Sequence, residues 1–434
     1  METMVEYLSN FKCYLDKARR WPYFWLSVLV TLTFFLHLTT ISNPPDLVFD
    51  EHWYVEDARF IAEGTGSFIP QHPPLGRLII AGGITVFGDD PFGWRIFPVM
   101  FGLAGIVLIY LICKELKLPD QLALIAAFLL AFENFSFVQS SIGMLDVFSV
   151  TFALAAFLLY LKGRYMVSGG LIALSMLAKF TGVLAIPVIG LHWLLTNRKN
   201  WFRFGLSIAL IPVFYMVMLP ALDWIIWGKF IDPLEETITM LRLNSYSTFA
   251  EIDSTLLSRP WEWLLNLKII TYWPDPHYLA MLSPNIWLVA IPSMAYMAVK
   301  ARRGSNAAIF CLAWFTGTYL IWIPISLITD RTSYVFYLYP VIGALCLAVA
   351  ISLWDLTKNY PAFNSSVLKR LLKWSVTVFL IVHTGFFVYL APIPYAWKLA
   401  AGVLLYVFIR YLFSPDKLNT PQPMSIDHGN DSNG

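Results

Sequence analysis

Charge is what this sequence lacks. Only 13% of its 434 residues are Asp, Glu, Lys or Arg, while 58% are hydrophobic. A soluble domain carries about 25% charged residues, so a water-soluble globular chain is excluded. The charges nearly cancel, 30 basic against 28 acidic, so nucleic acid is not implied as a partner. Cysteine is scarce too. Cys13, Cys113, Cys311 and Cys346 are scattered without ligand spacing, which argues against a disulfide framework and a zinc site. No repeat of 20 to 50 residues is visible, and no polar linker sets off a second soluble domain.

What the sequence does have is apolar runs of about 17 to 22 residues along its whole length, enough to cross a hydrocarbon core. The first, 22–41, follows Lys17, Arg19 and Arg20 and lacks a small-residue cleavage signal, so it reads as a retained anchor. Further basic clusters fall at 114–117, 162–164, 198–203, 300–303, 369–373 and 410–417. Placing all of them in the cytoplasm predicts spans near 22–41, 96–113, 121–138, 145–161, 168–179, 181–195, 204–222, 284–299, 306–324, 335–353, 374–391 and 394–412. The expected fold is an all-α polytopic membrane protein of about twelve transmembrane helices, with both termini inside. Residues 1–413 form the membrane domain. The polar stretch 414–434 reads as a disordered cytoplasmic tail. Parity requires two short helices hinged near Lys179.

The opposite side collects two long loops, 42–95 and 223–283. In the first, Trp53, Tyr54, Ala58, Ile61 and Ala62 fall on one helical face, with Glu56, Asp57 and Arg59 elsewhere; this predicts an amphipathic interfacial helix. Asp50 stands at its N-cap, where a capping role is the plain alternative to chemistry. Residues 74–87 are apolar but too short to cross, and predict an interfacial or re-entrant helix. Arg77 and Arg95 flank it, either snorkelling to headgroups or facing a phosphate. In the second loop, Asp232, Glu235 and Glu236 read as a solvated helix start rather than a metal site.

The ordered set Phe49-Asp50-Glu51, His72-Pro73-Pro74-Leu75-Gly76-Arg77 and Gly93-Trp94-Arg95 resembles the first luminal loop of protein O-mannosyltransferases. These are GT-C enzymes that use polyprenyl- or dolichyl-phosphate-linked sugars. Four later segments continue the resemblance: Leu145-Asp146, the Lys179-Phe180-Thr181-Gly182 hinge, Ser258-Arg259-Pro260-Trp261-Glu262-Trp263, and Arg331 with Phe336-Tyr337-Leu338-Tyr339-Pro340. Two departures stand out. The second loop has no room for the soluble insert of the eukaryotic enzymes, which points to the prokaryotic type. The family's usual Lys is Arg77 here, a cation of different shape.

The resemblance implies an inverting transfer of a hexose, mannose on the family's pattern, from a polyprenyl-phosphate donor to a Ser/Thr hydroxyl outside a prokaryotic plasma membrane. It puts Asp50 in the role of base and Glu51 beside it, orienting acceptor or base. Arg95, Arg331, Lys179 and Arg77 are the phosphate-binding candidates. His72, Asp146, Trp261, Glu262 and Trp263 are candidates for the acceptor or sugar pocket. Lys179 and Asp146 are equally readable as a structural ion pair, and the tryptophans as interface anchors. A monophosphate donor calls for no metal and no cofactor. Expected partners are the donor, a protein or lipid acceptor, and membrane lipids. Competing readings are transfer to a lipid or glycan, an oligosaccharide transferase, and a secondary transporter. The oligosaccharide transferase would show a Trp-Trp-Asp-Tyr-Gly element and a soluble domain, and the transporter would show related halves. The sequence has none of these.

Overall fold

The computed structural model describes residues 21–196, 200–245, 248–252, 254–359 and 366–413. The expected tail at 414–434, Cys13 and the cluster at Lys17 to Arg20 lie outside the described residues. Cys113, Cys311 and Cys346 are free and buried.

Helices dominate because the sequence offers long apolar runs whose backbone must be satisfied internally in lipid. The first half comprises α1 (Phe24–Thr40), α2 (Glu51–Ala62), α3 (Leu75–Phe87), α4 (Pro91–Glu115), α5 (Asp120–Ala131), α6 (Asn134–Ser140), α7 (Leu145–Leu161), α8 (Tyr165–Ala178), α9 (Ala185–Thr196) and α10 (Trp201–Trp227). The second half comprises α11 (Pro233–Ser245), the single turn α12 (Pro260–Trp263), α13 (Pro284–Arg302), α14 (Asn306–Phe315), α15 (Trp322–Thr329), α16 (Ile342–Asn359), α17 (Ser366–Leu390) and α18 (Tyr395–Leu412). Among the described residues six helical stretches are long and apolar enough to cross a membrane, or seven if α5 and α6 count as one bent span. Adding the shorter apolar helices α1, α7, α8 and α9 and then α13 makes the set compatible with twelve crossings.

The span expected at 121–138 bends by 65° between α5 and α6. Glu133 causes the break. Its Oε2 accepts from the Ser136 amide at 2.7 Å, capping α6, and its Oε1 accepts from the amide of distant Ser283 at 2.8 Å. The hinge at Lys179 forms as the parity argument requires. Lys179 is extended (φ −159°, ψ 137°) between α8 and a 3-10 turn, Phe180–Leu184. Gly182 belongs there because a Cβ would lie 2.4 Å from Ser175.

The second loop contains order that the apolar pattern does not reveal. Strands β1 (Ile270–Trp273) and β2 (Tyr278–Ala280) pair antiparallel, Ile270 opposite Ala280. The Tyr278 hydroxyl donates to the Asn43 carbonyl at 2.7 Å, and the Asn134 amide donates to the carbonyls of Leu279 and Met281. The hairpin is thereby fixed onto the end of α1 and the start of α6.

Candidate active site

Helix α2 begins with two adjacent carboxylates that take different directions. Phe49 enters the turn at φ +51°, a left-handed conformation that an aromatic residue rarely adopts. Its ring stacks on Tyr272 with centroids 4.3 Å apart, which holds the turn in place. Asp50 follows at the N-cap with helical dihedrals and no side-chain cap bond. The capping alternative therefore fails, because the side chain would need an extended backbone to reach its own amides.

The Asp50 side chain instead lines a cavity of about 360 Å³, together with Phe49, Trp53, Tyr54, Gln71, His72, Lys179, Asn244, Leu256, Arg331, Thr332, Tyr334, Phe336 and Tyr337. That volume is in the range of small-molecule sites, about 300–1,000 Å³. Among the described residues Asp50 is the one carboxylate on its wall. Burial pushes its pKa up to about 6, with Lys179 pulling it down and Asp146 pushing it up. Such a group is ionised at neutral pH yet basic enough to take a proton.

Two cations face it. Lys179 Nζ donates to Asp146 Oδ2 at 2.7 Å and lies 4.9 Å from the Phe336 ring centre. Arg331 Nη2 donates to Asn244 Oδ1 at 3.0 Å, and Asn244 donates to the Gln71 carbonyl at 2.8 Å. Among the described residues Arg331 has no carboxylate partner. His72 sits 3.4 Å from the Tyr54 hydroxyl through Nε2. Burial, then the positive charges of Lys179, Arg77 and Arg331, lower its pKa to about 3. It is a neutral hydrogen-bonding group.

The remaining sequence candidates lie outside this wall. Glu51 is fully buried. It receives Arg95 Nε and Nη2 at 2.9 and 2.8 Å, the Val48 amide at 2.7 Å and the Gly143 amide at 2.6 Å. Arg95 spends its other donors on the carbonyls of Ile41, Pro44 and Asp46. It belongs to α4 rather than to the loop, because that helix begins at Pro91, five residues before the expected start of the span. Arg77 pairs with Asp57 at 2.6 Å and donates to the His72 carbonyl at 2.7 Å. Asp57, expected on the polar face of α2, is buried for this purpose, while Trp53, expected on the apolar face, is 60% exposed.

Asp146 is buried behind Lys179, which is the structural-pair alternative. Glu262 accepts from the Arg259 amide at 2.6 Å. Trp263 is buried and donates to Ser258 Oγ at 2.9 Å, and Trp261 is partly exposed. Asp232 accepts from the amides of Leu234 and Glu235, as a helix start should. Gln71, Asn244, Tyr334 and Tyr337 reach the cavity unannounced. Only Tyr337 carried a signal, its place in the motif after Arg331.

The polytopic helical bundle has the GT-C fold of membrane glycosyltransferases. The S. cerevisiae protein O-mannosyltransferase Pmt1-Pmt2 complex bound to the sugar donor shares the fold, with TM-score 0.71 at 12% identity over 86% of this chain and 90% of that one. ArnT from Cupriavidus metallidurans bound to undecaprenyl phosphate matches at TM-score 0.55 and 16% identity, over 92% of this chain and 76% of that one.

More particularly, residues 71–227 match the family model for dolichyl-phosphate-mannose-protein mannosyltransferase. The polyprenol-phosphate-mannose–protein mannosyltransferase of Mycobacterium tuberculosis is 24% identical over 434 aligned residues, covering 79% of this chain and 82% of that protein. The enzyme of that name from Corynebacterium glutamicum is also 24% identical, covering 77% and 83%. The resemblance to protein O-mannosyltransferases is thus borne out, and the chain is an integral membrane protein of the fold those enzymes share.

Proposed function

We propose that this protein transfers mannose, with inversion, from a polyprenyl-phosphate-linked donor to a Ser/Thr hydroxyl of a protein acceptor. The observation that carries the reading is the Asp50 carboxylate, uncapped and open to a cavity whose cations are Lys179 and Arg331. The relatives' donor and acceptor supply the substrate class.

In the proposed step Asp50 takes the acceptor proton as the hydroxyl oxygen bonds to the anomeric carbon. The bond from that carbon to the phosphate oxygen breaks, and the electron pair leaves with the polyprenyl phosphate. Arg331 and Lys179 stabilise the growing phosphate charge. A retaining mechanism needs a second free carboxylate near the sugar, whereas Glu51 is engaged by Arg95 and Asp146 by Lys179. This supports a single-base displacement. Neutral His72 and Tyr54 are placed to hydrogen-bond sugar or acceptor. Arg95 and Arg77 support the loop rather than touching the donor.

The basic clusters at 114–117, 162–164 and 300–303 lie at the helix ends remote from Asp50 in the chain's alternation, so the cavity faces outside and both termini face the cytoplasm. We assign it to a prokaryotic plasma membrane. Purified full-length protein given radiolabelled polyprenyl-phosphate-mannose and a Ser/Thr peptide should label the peptide. Label appearing only in lipid would overturn the protein-acceptor assignment.

A further inference from the structure

Arg331 reaches the cavity from a sharp corner whose path depends on a side chain outside the cavity. Helix α15 ends at Thr329, and Asp330 turns the chain in the left-handed region, φ +50° and ψ +17°. Residues other than glycine adopt this conformation at a cost, so the corner relaxes unless its surroundings hold it.

Arg259, from the second outward loop, supplies that hold. Its Nη2 donates to Asp330 Oδ1 at 2.6 Å, and its Nη1 donates to Ser326 Oγ at 3.0 Å and to the Ser326 carbonyl at 3.3 Å. The Phe249 ring centre lies 3.7 Å from the guanidinium carbon, within cation–π range. The backbone completes the clasp. The Phe249 amide donates to the Asp330 carbonyl at 2.9 Å, and Thr248 and Arg331 form an isolated antiparallel bridge. The next residue after the clasped corner is Arg331, whose guanidinium meets Asn244 at the cavity wall.

The ion pair is a poor stabiliser. Arg259 is 26% exposed and Asp330 46%, and exposed pairs contribute little to folding. Its geometry is nonetheless demanding: two guanidinium nitrogens serve two different residues while the flat face rests on a ring. That arrangement fits a directional role better than an energetic one.

We propose that Arg259 is a positioning residue that locks the left-handed corner at Asp330 and thereby aims Arg331 at the phosphate of the lipid-linked donor. The inference rests on the reading of Arg331 as a phosphate ligand.

The test is a double-mutant cycle on the purified full chain, read by binding of a sugar-free polyprenyl phosphate in detergent and by the KM values of donor and peptide. Arg259→Ala and Arg331→Ala should each weaken polyprenyl phosphate binding about tenfold, and the double variant should bind no worse than Arg331→Ala, since coupled residues are not additive. Peptide KM should stay within about twofold of wild type, because only the donor-side cation has moved. Arg259→Lys, which keeps the charge but not the fork, should fall between wild type and Arg259→Ala. Asp330→Gly, which adopts the left-handed corner without strain but removes the ion pair, guards against misfolding and should weaken lipid binding less than Arg259→Ala does.

Additive losses, unchanged lipid binding in Arg259→Ala, or a peptide KM rising in step with the donor KM would overturn the positioning role. A wild-type protein that binds polyprenyl phosphate but transfers no mannose defeats the proposed function alone, and the binding cycle then decides the positioning role. A wild-type protein that binds no polyprenyl phosphate defeats both.

Discussion

Glu51 and Arg95 form a two-pronged ion pair from which water is excluded, both side chains being fully buried. Four donors converge on the Glu51 carboxylate, and Arg95 ties three backbone carbonyls of the 41–46 segment to it. This pair fixes the start of α2, and so the direction in which its neighbour Asp50 points.

Breaking the pair leaves an uncompensated buried charge, a loss of about 3–5 kcal/mol. Glu51→Gln should therefore unfold at lower temperature and be recovered in smaller yield. The folded fraction should keep the acid limb of its activity profile near that of wild type, because Asp50 still titrates in the same cavity. Thermal unfolding in detergent together with a pH–rate profile checks both. A wild-type melting temperature combined with lost turnover would instead move Glu51 into the chemistry.

Asp50→Asn should reduce turnover by about 10²–10⁴-fold, the usual contribution of a positioned base, while leaving polyprenyl phosphate binding largely intact. Near-normal turnover would remove Asp50 from the base role.

The same residue predicts the pH dependence. In the proposed mechanism Asp50 must be ionised to act as base, and its pKa is raised to about 6, so kcat should rise about tenfold per pH unit below 6 and level off above it. Lys179→Gln removes the charge that pulls this pKa down and should shift the limb to higher pH. Stability moves the other way. A carboxyl raised above its ordinary 3.8 binds its proton more tightly in the folded protein, so its contribution is complete below pH 3.8 and falls as pH rises through 6. Asp50→Asn should thus melt higher than wild type at pH 7.5, with the gap narrowing toward pH 4.

The spans were legible because a bilayer imposes length and apolarity on a sequence directly. The hinge at Lys179 was legible because the basic residues demand an even number of crossings. The division between Asp50 and Glu51 was not, since it depends on Arg95, forty-four positions away, and on the Gly143 amide, ninety-two away. Asp57 was misplaced for a similar reason: its partner Arg77 is twenty residues on, so helical periodicity alone puts it among solvated groups. The break between α5 and α6 needs Ser283, 150 residues distant. Gln71 and Asn244 carry no local pattern and meet only because the second loop folds over the first.

Arg77 stands where the family resemblance leads one to expect lysine, and its contacts show what the guanidinium adds. Nη1 serves Asp57 and Ser67, while Nη2 reaches the His72 carbonyl. A lysine ammonium concentrates its donors at one point and can keep the Asp57 pair but not the carbonyl. Arg77→Lys should therefore fold, at a cost of about 1 kcal/mol for the lost hydrogen bond, and should free the segment that holds His72 and Gln71 at the cavity. Because Gln71 anchors Asn244, and Asn244 meets Arg331, donor KM should rise severalfold while the melting temperature falls only slightly. Arg77→Met leaves Asp57 buried without its cation and should lose about 3–5 kcal/mol. Measuring melting temperature and donor KM for both variants separates the two effects. Equal behaviour of Lys and Met would mean that the charge on Asp57 is not what Arg77 balances.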